Sequence, residues 1–410
     1  MDERRRESGF RARTRVDDAR ERLRERVRTV DRTETVAVRD ADGRTLAEAV
    51  SGARSVPVST RAEVDGFAVD ARETFGAGDR APATFEAAGT DAGDGIDGHE
   101  AARVDAGEQL PDGADAVVPV AGARLVGGTV EVYDPVAVGE GVLPPGSDVE
   151  SGRHLYDAGH RLRPSDLGLL TAAGVETVTV RDRPSVAVLP VGDDLVDGDP
   201  GPAETVETDS LTVARLVERW GGDADRYDPV GDDEATLRSA LGEACADADL
   251  VATTGGSGLG ERDRVPEALD AVGSVDVHGV AAVPGRSVAL GGVDGTPVVV
   301  LPGAPAACVV GAVQFLRHAV KWAAGQSVDE PPTGPAMLDR KIASEPGVRT
   351  YARVRFDSRE GQRVAVPVRT DGASLLSSVA LSDGWIEIRE GIEGLPEGDL
   401  VAVQDWEWSA

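Results

Sequence analysis

The feature that most constrains this chain is the alternation of short apolar runs with helical patterns between Pro184 and Ala324. SVAVL, Ser185 to Leu189, is a short apolar run that ends in the loop PVGDDL. Leu211, Ala214, Val217 and Trp220 then share one helical face behind Thr208 or Asp209 as cap, and Gly221-Gly222 ends that helix. Asp233 caps the next helix, whose apolar positions are Leu237, Ala240, Leu241 and Ala244. LVATT (250–254) reads as a buried strand and VVVL (298–301) as another, after which Pro305 opens a long helix to about Ala324. Strands separated by helices predict βαβ units and a parallel sheet, because a parallel neighbour is reached only through a long crossover.

Two glycine loops stand where such a sheet binds ligands, at the carboxyl ends of its strands. The first is TTGGSGLGERD, Thr253 to Asp263; the second is LPGAP, Leu301 to Pro305. The first fits no common phosphate or nucleophile signature. A Walker A loop needs lysine where Glu261 stands, a dinucleotide fingerprint needs one residue more than Gly256–Gly260 provides, and a nucleophile elbow needs glycine at Leu259. Glycine-freed N–H groups beside a helix N-terminus nevertheless make an anion site without lysine. Taken one at a time, these loops also read as plain tight turns.

Outside this region the patterns differ. Residues 1–14 are charge-dense and are expected to be disordered. Asp17–Val30 reads as an amphipathic helix, Phe75–Val138 as short β segments, and Leu167, Leu169, Leu170 and Ala173 as a helix between Pro164 and Gly174. After DEPPTGP the alternating stretches YARVRF and WIEIRE predict a small C-terminal barrel. The formal net charge of −30 argues against phosphate-neutralising nucleic-acid binding. Arginine replaces lysine almost everywhere, Lys321 and Lys341 being the exceptions, which suits a halophilic cytosol where high salt screens self-repulsion. Cys245 and Cys308 lie in apolar helical patterns and are expected to be buried and structural, and the scattered histidines predict no zinc site. No apolar run approaches the ~20 residues of a membrane span, and MDERRRESG is not a signal peptide, so the chain is expected to be cytoplasmic with no membrane or nucleic-acid partner.

In order along the chain, VDGFAV (64–69), LPDGADAVVPV (110–120), PGSDVESG (145–152), AGHRLRPSDLGLLTAAGVETVTV (158–180), VLPVGDDL (188–195), TTGGSGLGERD, VPGRSV (283–288) and VLPGAPAAC (300–308) resemble the molybdopterin molybdenumtransferase family, the MoeA proteins and the gephyrin E domain. SLLSS (374–378) and SDGWIEI resemble its last domain. The resemblance implies a multidomain α/β plus β fold. Its parts would be an elongated helical rod (15–58 and 140–183), an inserted β domain (59–139), a βαβ molybdopterin-binding domain with a mostly parallel sheet (184–328), and a small C-terminal β-barrel domain (329–410). It implies a homodimer that inserts molybdate (or tungstate) into adenylylated molybdopterin with release of AMP, using Mg²⁺. It also admits a molybdopterin adenylyltransferase-type partner.

Carried over position by position, the resemblance makes Asp65, Asp194, Asp232 and Asp263 catalytic, with Asp65 reaching the partner chain's site. Asp263, Asp194 and Asp148 become metal candidates. Gly255, Gly256, Ser257, Gly258, Arg286, Pro302, Gly303 and Pro305 become the pterin-binding set. Several polar positions depart from the family pattern: Ala62 for serine, Ala106-Gly107-Glu108 for T-G-A, Pro144-Pro145 for two arginines, Val283 for lysine, Ala304 for asparagine, and Asp194 for glutamate. Those losses leave open an alternative, a diverged non-catalytic molybdopterin-binding carrier or scaffold.

Overall fold

The computed structural model describes residues 13–88, 95–368 and 375–408, so residues 1–12 of the stretch 1–14 expected to be disordered, and Ser374 of the SLLSS stretch, lie outside the described residues; Thr14 is instead ordered, because its N–H donates to the Gly279 carbonyl at 3.0 Å and its carbonyl accepts from the Ala281 N–H at 2.8 Å. The chain divides into two compact units, Met1–Glu34 with Arg181–Ala410, and Thr35–Val180.

The first unit is built on a six-stranded sheet ordered Asp223–Arg226, Ser185–Pro190, Leu250–Thr254, Thr296–Leu301, Ala289–Val293 and Ser274–His278. The first four strands are mutually parallel. The last two are antiparallel, so the sheet is mixed where alternation alone predicted parallel pairing throughout. The physical reason is the turn Asp294-Gly295, whose φ values of 47° and 98° are the left-handed pair that closes a tight hairpin. No crossover helix separates Ala289–Val293 from Thr296–Leu301, so the chain has to double back.

Helices cover the sheet as their patterns require. Asp209–Arg219 buries Val213, Ala214, Leu216 and Val217 against Val186, Val188 and Ala252. Glu234–Asp247 begins at Asp233, whose side chain accepts from the N–H groups of Ala235 and Thr236 at 3.1 and 3.0 Å. It buries Leu237, Leu241 and Ala244 on the other sheet face. The helix expected near the N-terminus spans Val16–Arg26, and its Val16, Ala19 and Leu23 join the α/β core. Both cysteines are buried; burial pushes the Cys245 thiol up to about 12, far from thiolate chemistry.

The C-terminal strands close as expected. Arg349–Arg359, Gln362–Pro367, Thr333–Leu338, Leu400–Gln404 and Gly384–Ile388 form a ring that returns to Arg349–Arg359, with Ala282–Val283 added at one edge. Leu338, Val354, Ala365, Ile386 and Val403 fill its interior.

In the second unit, six short strands form a sheet ordered Ala116–Pro119, Gly66–Val69, Glu100–Val104, Ala83–Ala87, Thr129–Val132 and Ala123–Val126. Among the described residues, the flanking segments 35–58 and 140–180 carry one α-helix, Pro164–Ala172, and otherwise short strands, 3-10 turns and loops. Residues 15–34 of the expected rod, with the helix Val16–Arg26, group with the first unit, and the remaining segments are less helical than that expectation. The helix ends before Gly174 at φ 79°, and it starts on a dense polar cap. Asp166, 2% exposed, accepts from Tyr156 Oη, His160 Nε2 and three nitrogens of Arg163.

Candidate active site

The strand order places a topological switch between Ser185–Pro190 and Leu250–Thr254. From Ser185–Pro190 the chain moves outward to Asp223–Arg226, then crosses back to the opposite side at Leu250–Thr254. Loops leaving the two central strands therefore part in opposite directions and leave a crevice at their carboxyl ends. A cleft of about 550 Å³ lies there.

Both glycine loops form its floor. The N–H of Gly255 donates to the Leu301 carbonyl at 3.0 Å, and Gly303 comes so close that a Cβ on it would sit 3.1 Å from the Gly255 Cα. Gly255 and Gly256 have φ of 100° and 67°; a Cβ on either would lie 2.5 Å from the Val191 carbonyl oxygen or the Val265 methyl. Only glycine reconciles that backbone with that spacing. Gly258 is needed for a different reason: its φ is not left-handed, but a Cβ there would meet the Asp263 carboxylate at 2.6 Å. Asp263 in turn accepts from the Gly260 N–H at 2.8 Å, so this carboxylate holds the loop's shape as well as facing the cleft.

The acids arrive from three loops. Asp194 follows the first strand, Asp232 precedes the Glu234 helix, and Asp263 closes the glycine loop; all three line the cleft. The Asp193 side chain accepts from the Asp232 N–H at 3.1 Å and fixes the second loop against the first. Burial pushes the Asp232 carboxyl above its usual range, the Asp193 and Asp194 charges add to this, and Arg262 opposes it.

Gly255, Gly256, Gly303 and Pro305 line the same cleft, whereas Ser257, Gly258, Arg286 and Pro302 are not among its lining residues. Ser257 joins the neighbouring loop instead, its hydroxyl 2.9 Å from that of Ser287, and His278 Nε2 meets its carbonyl at 2.9 Å. Arg286 is exposed and bonded to Glu345, which also accepts from Arg13 at 3.0 Å. Asp65 and Asp148 belong to the other unit, and both are exposed. Asp65 accepts from the Ala106 N–H at 2.7 Å, tying the VDG turn to the turn that lacks the family's hydroxyl.

Sequence reasoning missed two cleft acids and one base. Glu207, Asp209 and Arg262 also line the cleft. Thr208 or Asp209 read as the helix cap; Thr208 takes that position, and the Glu207 carboxylate does the capping by accepting from the Ser210 N–H at 2.7 Å. Arg226 Nη2 donates to Glu207 at 3.1 Å and anchors it. The Asp209 carboxylate accepts no hydrogen bond from the described residues, and burial, with the Glu207 charge adding, pushes it up to about 7. The signal for Glu207 was present in its spacing to Ser210, a carboxylate three positions ahead of a helix N–H.

A Mg²⁺ ion would meet carboxylates here, though among the described residues no three metal-ligating side chains are gathered closely enough to hold one alone. Mg²⁺ takes one or two protein carboxylates and completes its shell with substrate phosphates and water. No helix among the described residues is long and apolar enough to cross a membrane.

Comparison with known proteins supports one assignment. Residues 14–174 match the MoeA N-terminal region (domain I and II), 187–322 a probable molybdopterin binding domain, and 335–406 the MoeA C-terminal region (domain IV). A putative molybdopterin biosynthesis protein of Methanocaldococcus jannaschii is 32% identical over 93% of this chain and 94% of its own. Molybdopterin molybdenumtransferase 2 of Mycobacterium tuberculosis is 30% identical over 90% and 94%. The crystal structure of a molybdopterin biosynthesis MoeA protein from Pyrococcus horikoshii superposes with a TM-score of 0.82 at 26% identity, covering 95% of this chain and 99% of that one. With the glycine-floored cleft lying inside the segment matched by the molybdopterin-binding model, the chain belongs to the MoeA family of molybdopterin molybdenumtransferases.

Proposed function

We propose that this chain transfers molybdenum, or tungsten, from its oxyanion to adenylylated molybdopterin and releases AMP. The observation that carries the reading is the cleft at the sheet's switch point, which two glycine loops line together with Asp194, Asp232 and Asp263. The loop amides and the N-terminus of the helix that begins at Pro305 suit the anionic groups of the pterin. Asp194 and Asp263 would hold Mg²⁺, which when bound neutralises charge on the phosphoanhydride. Asp232, whose burial raises its affinity for a proton, is suited to orient the attacking water and accept its proton. The Asp194 side chain is one methylene shorter than the family's glutamate, so the cation would sit closer to that loop.

The functional molecule in this reading is a homodimer in which Asp65 of one chain completes the cleft of the other. Mixing chains tests both claims. Wild type should release AMP from adenylylated molybdopterin with molybdate and Mg²⁺, while Asp65→Ala and Asp263→Asn should each be nearly inactive. Refolded together at equal ratio, half the dimers are hybrids with one intact cleft, and activity should recover to roughly a quarter of wild type. No recovery in mixtures whose hybrids are verified would rule out a shared site.

Ala62, Ala106 and Ala304 favour a second reading, a molybdopterin-binding carrier without transfer activity. Each missing hydrogen bond to a charged group costs about 1.5–3 kcal/mol. On that reading wild type binds molybdopterin and releases no AMP.

A further inference from the structure

The long helix that opens at Pro305 does not run evenly. Ala312–Leu316 is a π-helical segment between α-helical Pro305–Gly311 and Arg317–Ala323, and such interruptions concentrate at functional sites. Here it has a local chemical effect. The Gln314 backbone carbonyl accepts from Arg20 Nε at 3.0 Å, and its side-chain carbonyl accepts from Arg20 Nη2. Directly after the segment, Arg317 and His318 face a cavity of about 340 Å³ that shares no residue with the cleft described above.

Arg317 is 2% exposed, yet no carboxylate of the described residues pairs with it. Its Nη2 donates to the Asp329 backbone carbonyl at 2.9 Å, its Nε has no partner, and its guanidinium lies 5.6 Å from the Trp408 ring centroid. Nη1 is left with no hydrogen bond to the described residues. The neighbouring charges are already matched. Asp17 accepts from Arg349 at 3.0 and 2.7 Å and from Arg20 Nη1 at 3.3 Å, Arg349 also engages Glu390 and Glu387, and Arg389 lies 3.8 Å from Glu387. Asp329 and Glu330 are exposed at the rim, where water and salt screen them. Among the four arginines that line the cavity, Arg317 is thus the one with no ion pair to a carboxylate of the described residues. His318, whose Nδ1 also lacks a partner, is held neutral by burial, with the Arg20 and Arg317 charges adding.

A buried unpaired guanidinium is costly, and a counter-anion offsets that cost. We propose that this cavity is a second ligand site, which takes a tetrahedral oxyanion of the phosphate class on Arg317 and Arg20 with the Gln314 amide as a further donor. Its volume holds such an ion with several waters, at about 30 Å³ per water.

Calorimetric titration of the full chain with inorganic phosphate, and separately with molybdate, tests this in about 2 M KCl, where surface charge is screened. Wild type should bind one ion saturably. Tighter molybdate binding identifies the occupant as the reaction's own oxyanion, and equal or tighter phosphate binding identifies it as phosphate. Arg317→Met should weaken binding about tenfold or more. Because that change also removes packing, Gln314→Glu is the decisive variant: it supplies a carboxylate to the cavity, so it should abolish binding while leaving the fold at least as heat-stable as wild type. Gly258→Ala in the glycine loop of the main cleft should leave binding intact. The proposal is overturned if wild type binds neither ion, if Gln314→Glu binds undiminished, or if only the Gly258 variant loses binding.

Discussion

Replacing Asp209 with asparagine removes a negative charge from the cleft wall at nearly constant side-chain size. In the folded protein, burial and the neighbouring Glu207 charge push this carboxyl from 3.8 up to about 7, and no described residue hydrogen-bonds it. Its place in the first turn of the Asp209–Arg219 helix favours the anion, but not enough to offset desolvation. The folded pKa lies above the unfolded one, so between those values the folded state binds more protons. Stability from this group is then greatest below about pH 4, falls as pH rises, and levels off above about 7. At about 1.4 kcal/mol per unit, the ionised group costs the fold at most about 4 kcal/mol, and relaxation around it reduces that to roughly 1–3 kcal/mol. Asp209→Asn should therefore raise Tm at pH 8 by roughly 1–4 °C in a protein of this size, and the gain should vanish near pH 4. Thermal melts of both proteins across that range in concentrated KCl measure it. A variant that melts at or below wild type at pH 8 would refute the reasoning, because it would mean the folded protein already neutralises the charge.

Two further changes probe other claims. Asp166→Asn should lower the melting temperature of the Thr35–Val180 unit by several degrees, since an amide cannot accept from Arg163, His160 and Tyr156 together, a loss of about 2–4 kcal/mol. Burial opposes ionisation of Asp166, but its Arg163 and His160 partners hold the carboxyl well below the usual range, so that stability is present above about pH 4 and lost on further acidification. The variant should show a flatter acid limb in calorimetry, and an unchanged limb would argue against the network. Gly255→Ala and Gly258→Ala should separate shape from chemistry. The first forces a side chain into left-handed backbone against the Val191 carbonyl and should cost stability, about 2–4 kcal/mol in denaturant titration. The second meets only the Asp263 carboxylate, so it should leave stability within about 1 kcal/mol while cutting AMP release at least tenfold; the reverse ranking would show the loop roles to be misassigned.

Much of the α/β unit was legible because its determinants are local. Asp233 caps the helix it was expected to cap, Pro305 sits at a helix start, and LVATT is a buried strand. The glycine loops were legible as well, since an unusual density of glycine at a strand's carboxyl end has few structural uses. The antiparallel edge was not, although Asp294-Gly295 between apolar runs was a hairpin signal that the surrounding alternation outweighed. Asp209 was seen only as a cap, because a sequence shows position along a helix and not what the first turn faces.

The sequence by itself determined which segments of the α/β unit are helix and which are strand, which loops must be glycine-built, and, through many ordered short matches, the family. Tertiary structure alone decided which acids share a cleft. Asp194, Asp232 and Asp263 come from loops separated by tens of residues, and strand order, which no local preference encodes, brings them together. It also decided that Asp263 braces Gly260 as well as facing the cleft, and that Arg317 carries a buried charge with no ion pair among the described residues. Burial and pairing depend on what other segments place alongside a residue, and these long-range contacts set the energies on which the site's chemistry rests.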